Sequence, residues 1–196
     1  SLFKENIALS VLPQARYSQE IARVASNKGA DVLLHLPMEP KDYPETDPGP
    51  GALFVDMSPE RIHSVMERDL HGIPGLVGVN NHMGSRFTTV REDMRQVFSV
   101  LRERDLFYMD SLTSPESVGE GLASRMGVKT INRDIFLDNE KKVKSIRLQL
   151  SKAEHLARKV GYAVVTGHPY PQTVEALRLW LAEKDKDIQL CRLSSL

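Results

Sequence analysis

Short apolar runs alternate along this chain with longer stretches in which apolar residues recur every three to four positions. The runs read as strands at Ile7–Leu12, Val32–Leu36, Leu76–Val79, Leu106–Met109, Lys129–Ile135, Tyr162–Val165 and Ile188–Leu193. Between them the spacing predicts a helix over Ser18–Asn27, with Ile21, Val24 and Ala25 on one face. A second begins at Ser58 and carries Ile62, Val65, Met66 and Leu70. A third begins at Thr88 or Thr89, with Met94, Val97, Phe98 and Leu101 inward. Further helices are predicted over Ser117–Met126, over Asn139–Val160 and from Pro171, the last carrying Val174, Leu177 and Leu181. Ser58-Pro59-Glu60 is an N-cap followed by proline at the first helical position. Gly29, Gly127 and Gly161 stand where helices should stop.

Alternation of this kind predicts an α/β fold: a parallel sheet with helices outside it, wound into a doubly wound sheet or a barrel. No repeat, low-complexity tract or linker divides the sequence, so residues 1–196 are expected to form one domain. One connection breaks the rhythm. Pro37–Met57 holds Pro37, Pro40, Pro44, Pro48 and Pro50 with Gly49 and Gly51, and has no periodic pattern. Long unpatterned loops in compact domains are functional or disordered. This one follows His35 directly and is expected to lie over a site.

The ends of the strands carry the chemistry. Val32-Leu33-Leu34 runs into His35, and Leu76–Val79 into Asn80-Asn81-His82-Met83-Gly84-Ser85-Arg86. Leu106–Met109 runs into Asp110, Thr130-Ile131-Asn132 into Arg133 and Asp134, and Tyr162–Val165 through Gly167 into His168. Parallel α/β folds gather ligands and catalytic groups at the carboxyl ends of strands, so these ends suggest one shared enzymatic site. His35 and His82 are suited to hold zinc or a similar divalent metal, with Asp110, Asp134, Asp138 or Glu39 as candidate further ligands. Each histidine has an ordinary alternative, a hydrogen bond to a nearby loop. His168, between Gly167 and Pro169, suits a general acid or base, or caps the last helix. Asn80, Asn81, Ser85, Arg86 and Asp110 are candidate substrate contacts, although Asn and Ser also favour turns. Arg133 and Asp134 form either a charged pair that orients catalytic groups or a plain ion pair at a strand end.

Composition narrows the field. Apolar residues make up 41% and charged residues 27%, which is ordinary for a globular domain. Lys+Arg and Asp+Glu are both 26, so the basic excess of a nucleic-acid binder is missing and no such partner is expected. No apolar stretch has the length of a membrane span, and no signal peptide is visible. A leader or anchor upstream of Ser1 is compatible with a chain that begins almost directly in a strand. The one cysteine, Cys191, lies in the last apolar run and is expected to be buried. Gly-x-Ser-x-Gly, Gly-x-Gly-x-x-Gly and Walker A motifs are absent, which removes support for nucleophilic-serine, dinucleotide and nucleoside-triphosphate chemistry.

Five segments together resemble the divergent polysaccharide deacetylase family: His35–Pro40, Asp47–Leu53, Gly78–Thr88, Arg133–Asn139 and Gly167–Pro171. The likeness covers essentially the whole chain in order. It implies a distorted (β/α) barrel of the carbohydrate deacetylase type. It also implies metal-dependent hydrolysis of N-acetyl groups on a cell-envelope or related polysaccharide or oligosaccharide, in the periplasm or at the envelope. By the same resemblance His35 and His82 are the metal ligands, with zinc as the expected ion, and His168 is the acid. Two departures stand out. The His-x-x-x-His pair of mainstream deacetylases is missing. So is the family's opening strand ending in Asp-Asp, which supplies a ligand and the base; this chain begins at what corresponds to the second strand. On this reading the first strand lies upstream of Ser1 or the chain lacks a ligand. The rival expectations are a catalytically impaired glycan-binding or envelope-organising protein on the same fold, and a metal hydrolase acting on another amide or ester.

Overall fold

The computed structural model describes residues 5–195. The chain gathers into two compact units. One runs to Ile131 and takes in the C-terminal residues from Cys191; the other is Asn132–Leu190.

The first unit contains β1 (Leu9–Val11), α1 (Ser18–Asn27), β2 (Val32–Met38), α2 (Pro59–His71), β3 (Leu76–Met83), a 3-10 turn (Phe87–Thr89), α3 (Arg91–Glu103), β4 (Phe107–Asp110), α4 (Gly119–Met126) and the start of β5 (Thr130–Asn132). Their sheet has the order β1-β2-β3-β4-β5, and β1 to β4 pair in parallel. Every strand lies beside its predecessor in sequence, so every crossover steps the same way. Right-handed crossovers that all step one way stack their helices on one face of the sheet. A doubly wound sheet, the alternative open from the sequence, reverses direction at a switch point; these strands do not.

Period-two alternation sorts β2. Val32, Leu34, Leu36 and Met38 enter the main core with Val79 of β3, Ile62, Val65 and Met66 of α2, and Met94, Val97, Phe98 and Leu101 of α3. Leu33 and His35 point to the other face. A one-residue slip of β2 would turn the apolar set away from the helices. At about 1.5–3 kcal/mol for each large apolar side chain taken out of water, that burial fixes the register.

Helix α1 has the predicted ends but a different inner face. Ser18, Ala22 and Ala25 are buried, whereas Ile21 and Val24 are 45% and 41% exposed. Small side chains on the inner stripe let the helix lie close to the sheet, and the larger ones turn outward. The Pro37–Met57 connection is pinned at both ends. Leu53 N donates to Pro37 O and Glu39 N to Leu53 O, both at 2.9 Å. The buried Glu39 carboxylate accepts from Val55 N at 2.6 Å and from Arg86 at 2.5 Å.

The second unit contains β6 (Ile135–Phe136), α5 (Val143–Val160), β7 (Val165–Thr166) and α6 (Pro171–Glu183). β6 and β7 pair in parallel, over a small core of Leu137, Ile146, Leu150 and Ala176. The single strand expected over Lys129–Ile135 is split into β5 and β6. Asp134 accounts for the break: its N–H donates to Val164 O at 2.8 Å, and its carboxylate accepts from Val164 N at 2.7 Å, which draws the chain towards β7. The strand expected over Ile188–Leu193 does not form. That run has no sheet partner among the described residues and ends in a 3-10 turn (Leu193–Ser195), where Ser194 N donates to Asp31 at 2.8 Å. Cys191 is therefore exposed, not buried. Among the described residues no helix is long and apolar enough to cross a membrane.

Two substitutions test this packing. Burial first, then the charges of Asp56, Glu39 and Glu92, raises the Asp93 carboxyl above its usual range. One of its oxygens is buried without a hydrogen-bond partner among the described residues. A raised folded-state value means the fold binds the proton more tightly than the unfolded chain does, so stability falls as pH rises through that value. Asp93→Asn should therefore stabilise the protein at neutral pH by roughly 0.5–1 kcal/mol, with the gain fading below the ordinary aspartate range. Thermal melts at pH 7 and pH 3 measure it. Gly51 sits at φ +84, and a Cβ there would meet the buried Asp69 carboxylate at 2.5 Å. Gly51→Ala should cost about 1–3 kcal/mol, from strain and overpacking together, read as a lower midpoint in urea.

Candidate functional site

Parallel pairing sets His35 opposite Asn80 and Pro37 opposite His82. Residues two apart on one strand share a face, so His35, Asn80 and His82 emerge together on the face away from the main core. Both imidazoles are half-buried. His35 Nε2 lies 3.1 Å from His82 Nδ1, and the ring centroids are 4.8 Å apart at an angle of 60°. His35 Nδ1 lies 3.1 Å from Asn80 Oδ1.

A chain of donors fixes the His35 tautomer. Ser111 Oγ gives its one proton to Asn81 O at 2.8 Å. Towards Asn80 Nδ2, 3.3 Å away, it must then act as acceptor. The Asn80 amide thus turns its oxygen to the imidazole, His35 Nδ1 carries the proton, and Nε2 carries the lone pair. Among the described residues no group of three or more His, Cys, Asp or Glu gathers to hold a metal.

The other candidates of this unit are not brought into that group. Asn81 falls on the opposite face of β3. Its amide donates to Met83 O at 2.8 Å and accepts from Ser111 N at 2.8 Å and Tyr108 Oη at 3.1 Å. Burial first, and then the charge of Asp110, pushes the Tyr108 hydroxyl well above its usual range, which keeps it a neutral donor. Asp110 is buried on that same face and accepts from Leu112 N at 2.9 Å and Ser117 Oγ at 2.6 Å. Ser85 Oγ accepts from Lys41 N at 3.0 Å. Arg86 pairs with Glu39 at 2.5 Å. These side chains hold the β3–α3 and β4–α4 connections and the proline-rich loop.

In the second unit His168 follows β7 and Asp138 follows β6. Asp138 is buried, while the His168 side chain is 49% exposed. His168 Nδ1 lies 3.1 Å from Asp138 Oδ1. Asp138 Oδ2 accepts from His168 N at 2.6 Å and from Thr173 Oγ1 at 2.8 Å. A carboxylate so held keeps a proton on Nδ1 and leaves Nε2 as the atom that exchanges protons. Gly167 lets the strands converge here, since a Cβ would come within 3.2 Å of Asp138 Oδ2. The guanidinium of Arg133 lies over the Phe136 ring, 5.4 Å from its centroid. Asp134 is committed to Val164.

The sequence reading weighed Asp138 only as a metal ligand and missed its contact with His168. The signal lies in the strand pairing, which the sequence did not show. Ile135-Phe136 and Val165-Thr166 are equal in length and pair residue for residue, and Asp138 and His168 each stand two places beyond their strand. Thr173 carried no signal, because its role depends on how α6 returns to the β6–β7 pair.

Comparison with known proteins places the chain among relatives. The model of the divergent polysaccharide deacetylase family matches residues 2–196. The uncharacterized protein YibQ of Escherichia coli is 35% identical over 97% of this chain, and an uncharacterized protein of Haemophilus influenzae is 33% identical over 97%. The chain spans 59% and 67% of the length of these relatives. The crystal structure of the uncharacterized protein ATU2773 from Agrobacterium tumefaciens superposes with a TM-score of 0.94 at 25% identity, covering 98% of this chain and 78% of that one. A family 2 AP endonuclease from Brucella melitensis shares the fold alone, with a TM-score of 0.52 at 13% identity over 94% and 91% of the two chains. On the match across nearly its whole length, the chain belongs to the divergent polysaccharide deacetylase family.

Proposed function

We propose that this chain is the catalytic part of a metal-dependent deacetylase that removes N-acetyl groups from a cell-envelope polysaccharide, working on a distorted (β/α) barrel. The observation that carries the proposal is the His35–His82 pair. Two ring nitrogens 3.1 Å apart are close enough to share one ion at the usual zinc–nitrogen distance of about 2.0–2.1 Å. The Asn80 amide on His35 Nδ1 is the kind of outer partner that orients a ligating imidazole. Together the two histidines supply two of the three protein ligands usual at catalytic zinc. When bound, such an ion polarises the acetamide carbonyl and makes water nucleophilic at neutral pH.

The other part falls to this chain's own residues. The family resemblance gives His168 the acid's role, and its own surroundings suit that role: Asp138 holds the Nδ1 proton and leaves Nε2 to give or take one. The polysaccharide substrate, zinc as the native ion and action in the periplasm belong to this proposal and rest on the family.

Three measurements on the whole protein test it. Incubation with zinc and an N-acetylglucosamine oligomer should release acetate, and a chelator should stop it. Glycan binding without metal or turnover would instead make the chain a binding or envelope-organising protein. Asn80→Ala should weaken zinc binding about 10–100-fold, measured by competition with a chromophoric chelator; unchanged affinity would remove Asn80 from the site. His168→Ala should lower turnover about 10²–10⁴-fold with zinc content retained. Loss of zinc in that variant would make His168 a ligand, and full turnover would exclude it from the chemistry.

A further inference from the structure

Helix α5 sorts its side chains by face. Ile146, Leu150 and Ala153 are buried, and the charges on the flank beside them are paired. Glu154, the one carboxylate among the 18 residues of α5, accepts from Trp180 Nε1 at 2.6 Å and lies 3.7 Å from Arg158. Arg147 pairs with Glu183, and Arg158 with Asp185 and Asp187. The outward face differs. Lys144, Leu148, Lys152, His155 and Lys159 follow one another at intervals of four, four, three and four residues, so they form one row along the helix. All five are exposed, Leu148 at 58%. Among the described residues none of Lys144, Lys152, His155 and Lys159 meets a carboxylate.

Helix stability does not account for this row. Exposed helix faces gain from Glu–Lys pairs three or four residues apart, and this face carries none. Lys144 stands in the first turn, where the helix dipole opposes a cation and no acidic residue offsets it. Of the row, only Lys159, in the last turn, gains from the dipole. The row instead suits a partner that carries negative charge over a plane. It is straight and convex, and it runs about 22 Å at the helical rise per residue. Its cations are lysines, compact charges on flexible stems that can follow headgroups whose positions are not fixed. The fork-shaped arginines of α5 are turned to carboxylates. Leu148, between Lys144 and Lys152, would meet only phosphate and water on a nucleic acid; on a bilayer it reaches acyl chains.

We infer that the outer face of α5 docks this protein on an anionic phospholipid surface, with Lys144, Lys152 and Lys159 among the headgroups and Leu148 at the acyl boundary. The helix lies on that surface and does not cross it, which it is not long and apolar enough to do. Each lysine near such a surface raises affinity about fivefold, so the three give a reversible attachment. The inference goes beyond the deacetylase reading and does not depend on it.

Sedimentation of the whole protein with lipid vesicles tests it. One set of vesicles is phosphatidylcholine alone; the other carries about 30% phosphatidylglycerol, enough to make the surface potential clearly negative. The protein should bind the anionic vesicles more tightly at about 0.1 M salt, and lose that preference at about 1 M, where screening shortens the reach of charge. Lys144→Gln, Lys152→Gln and Lys159→Gln together should weaken binding to the anionic vesicles roughly a hundredfold, with little change in thermal midpoint. Removing the same charge elsewhere, by Arg102→Gln, Lys129→Gln and Lys186→Gln, should leave most of the binding. Leu148→Ser should weaken binding severalfold at either salt. Equal binding to both sets of vesicles, or binding unmoved by the three α5 substitutions, overturns the inference. A control triple variant that loses as much as the α5 variant overturns it in favour of net charge alone. Binding of duplex DNA that depends on the same three lysines, with no binding to vesicles, overturns it in favour of a nucleic-acid partner.

Discussion

The register between β2 and β3 is the constraint on which the candidate site depends. His35 faces Asn80, and Pro37 faces His82. The apolar half of the same strands enforces this pairing, because Leu34, Leu36, Met38 and Val79 must all meet α2 and α3. A slip by one residue would expose that set and turn both histidines into the core. The energy that holds the imidazoles together therefore lies on the far side of the sheet, in residues without functional groups. Asn81 and Asp110 follow from the same rule, since alternation carries them to the helix side, where they tie loops down.

Each unit holds an imidazole by its Nδ1, with different partners. Asn80 offers a neutral amide oxygen to His35, and Asp138 offers a carboxylate to His168. The amide fixes which nitrogen of His35 carries the lone pair and brings no charge, which suits a ring that serves as a ligand. The carboxylate accepts from Nδ1 whether the ring is neutral or protonated, which suits a ring that exchanges a proton at Nε2. The two partners thus give residues of the same type different surroundings.

Much of this was legible in the sequence where local pattern and tertiary packing agree. The stripe Met94, Val97, Phe98, Leu101 is buried as its spacing predicts, and His35 and His82 converge as strand-end placement suggests. Legibility failed where a tertiary partner decided. Ile21 and Val24 are apolar at helical spacing, yet the close approach of α1 selects Ala22 and Ala25 for the interior. Ile188–Leu193 has the composition of a strand, but a strand also needs a neighbour with free backbone groups. Asp138 looked like any carboxylate near a strand end until the β6–β7 pairing set it beside His168. The family motifs carried the assignment to the deacetylases across the whole chain, whereas the face on which each motif residue projects had to come from the sheet.

The central claim is that His35 and His82 share one divalent ion. Anomalous diffraction above and below the zinc edge, from crystals of the whole protein grown with zinc, tests it most directly. The account predicts a single strong peak about 2.0–2.1 Å from both His35 Nε2 and His82 Nδ1, with Asn80 Oδ1 still on His35 Nδ1. A peak held by other residues, or none while the two rings stay hydrogen-bonded to each other, would contradict it.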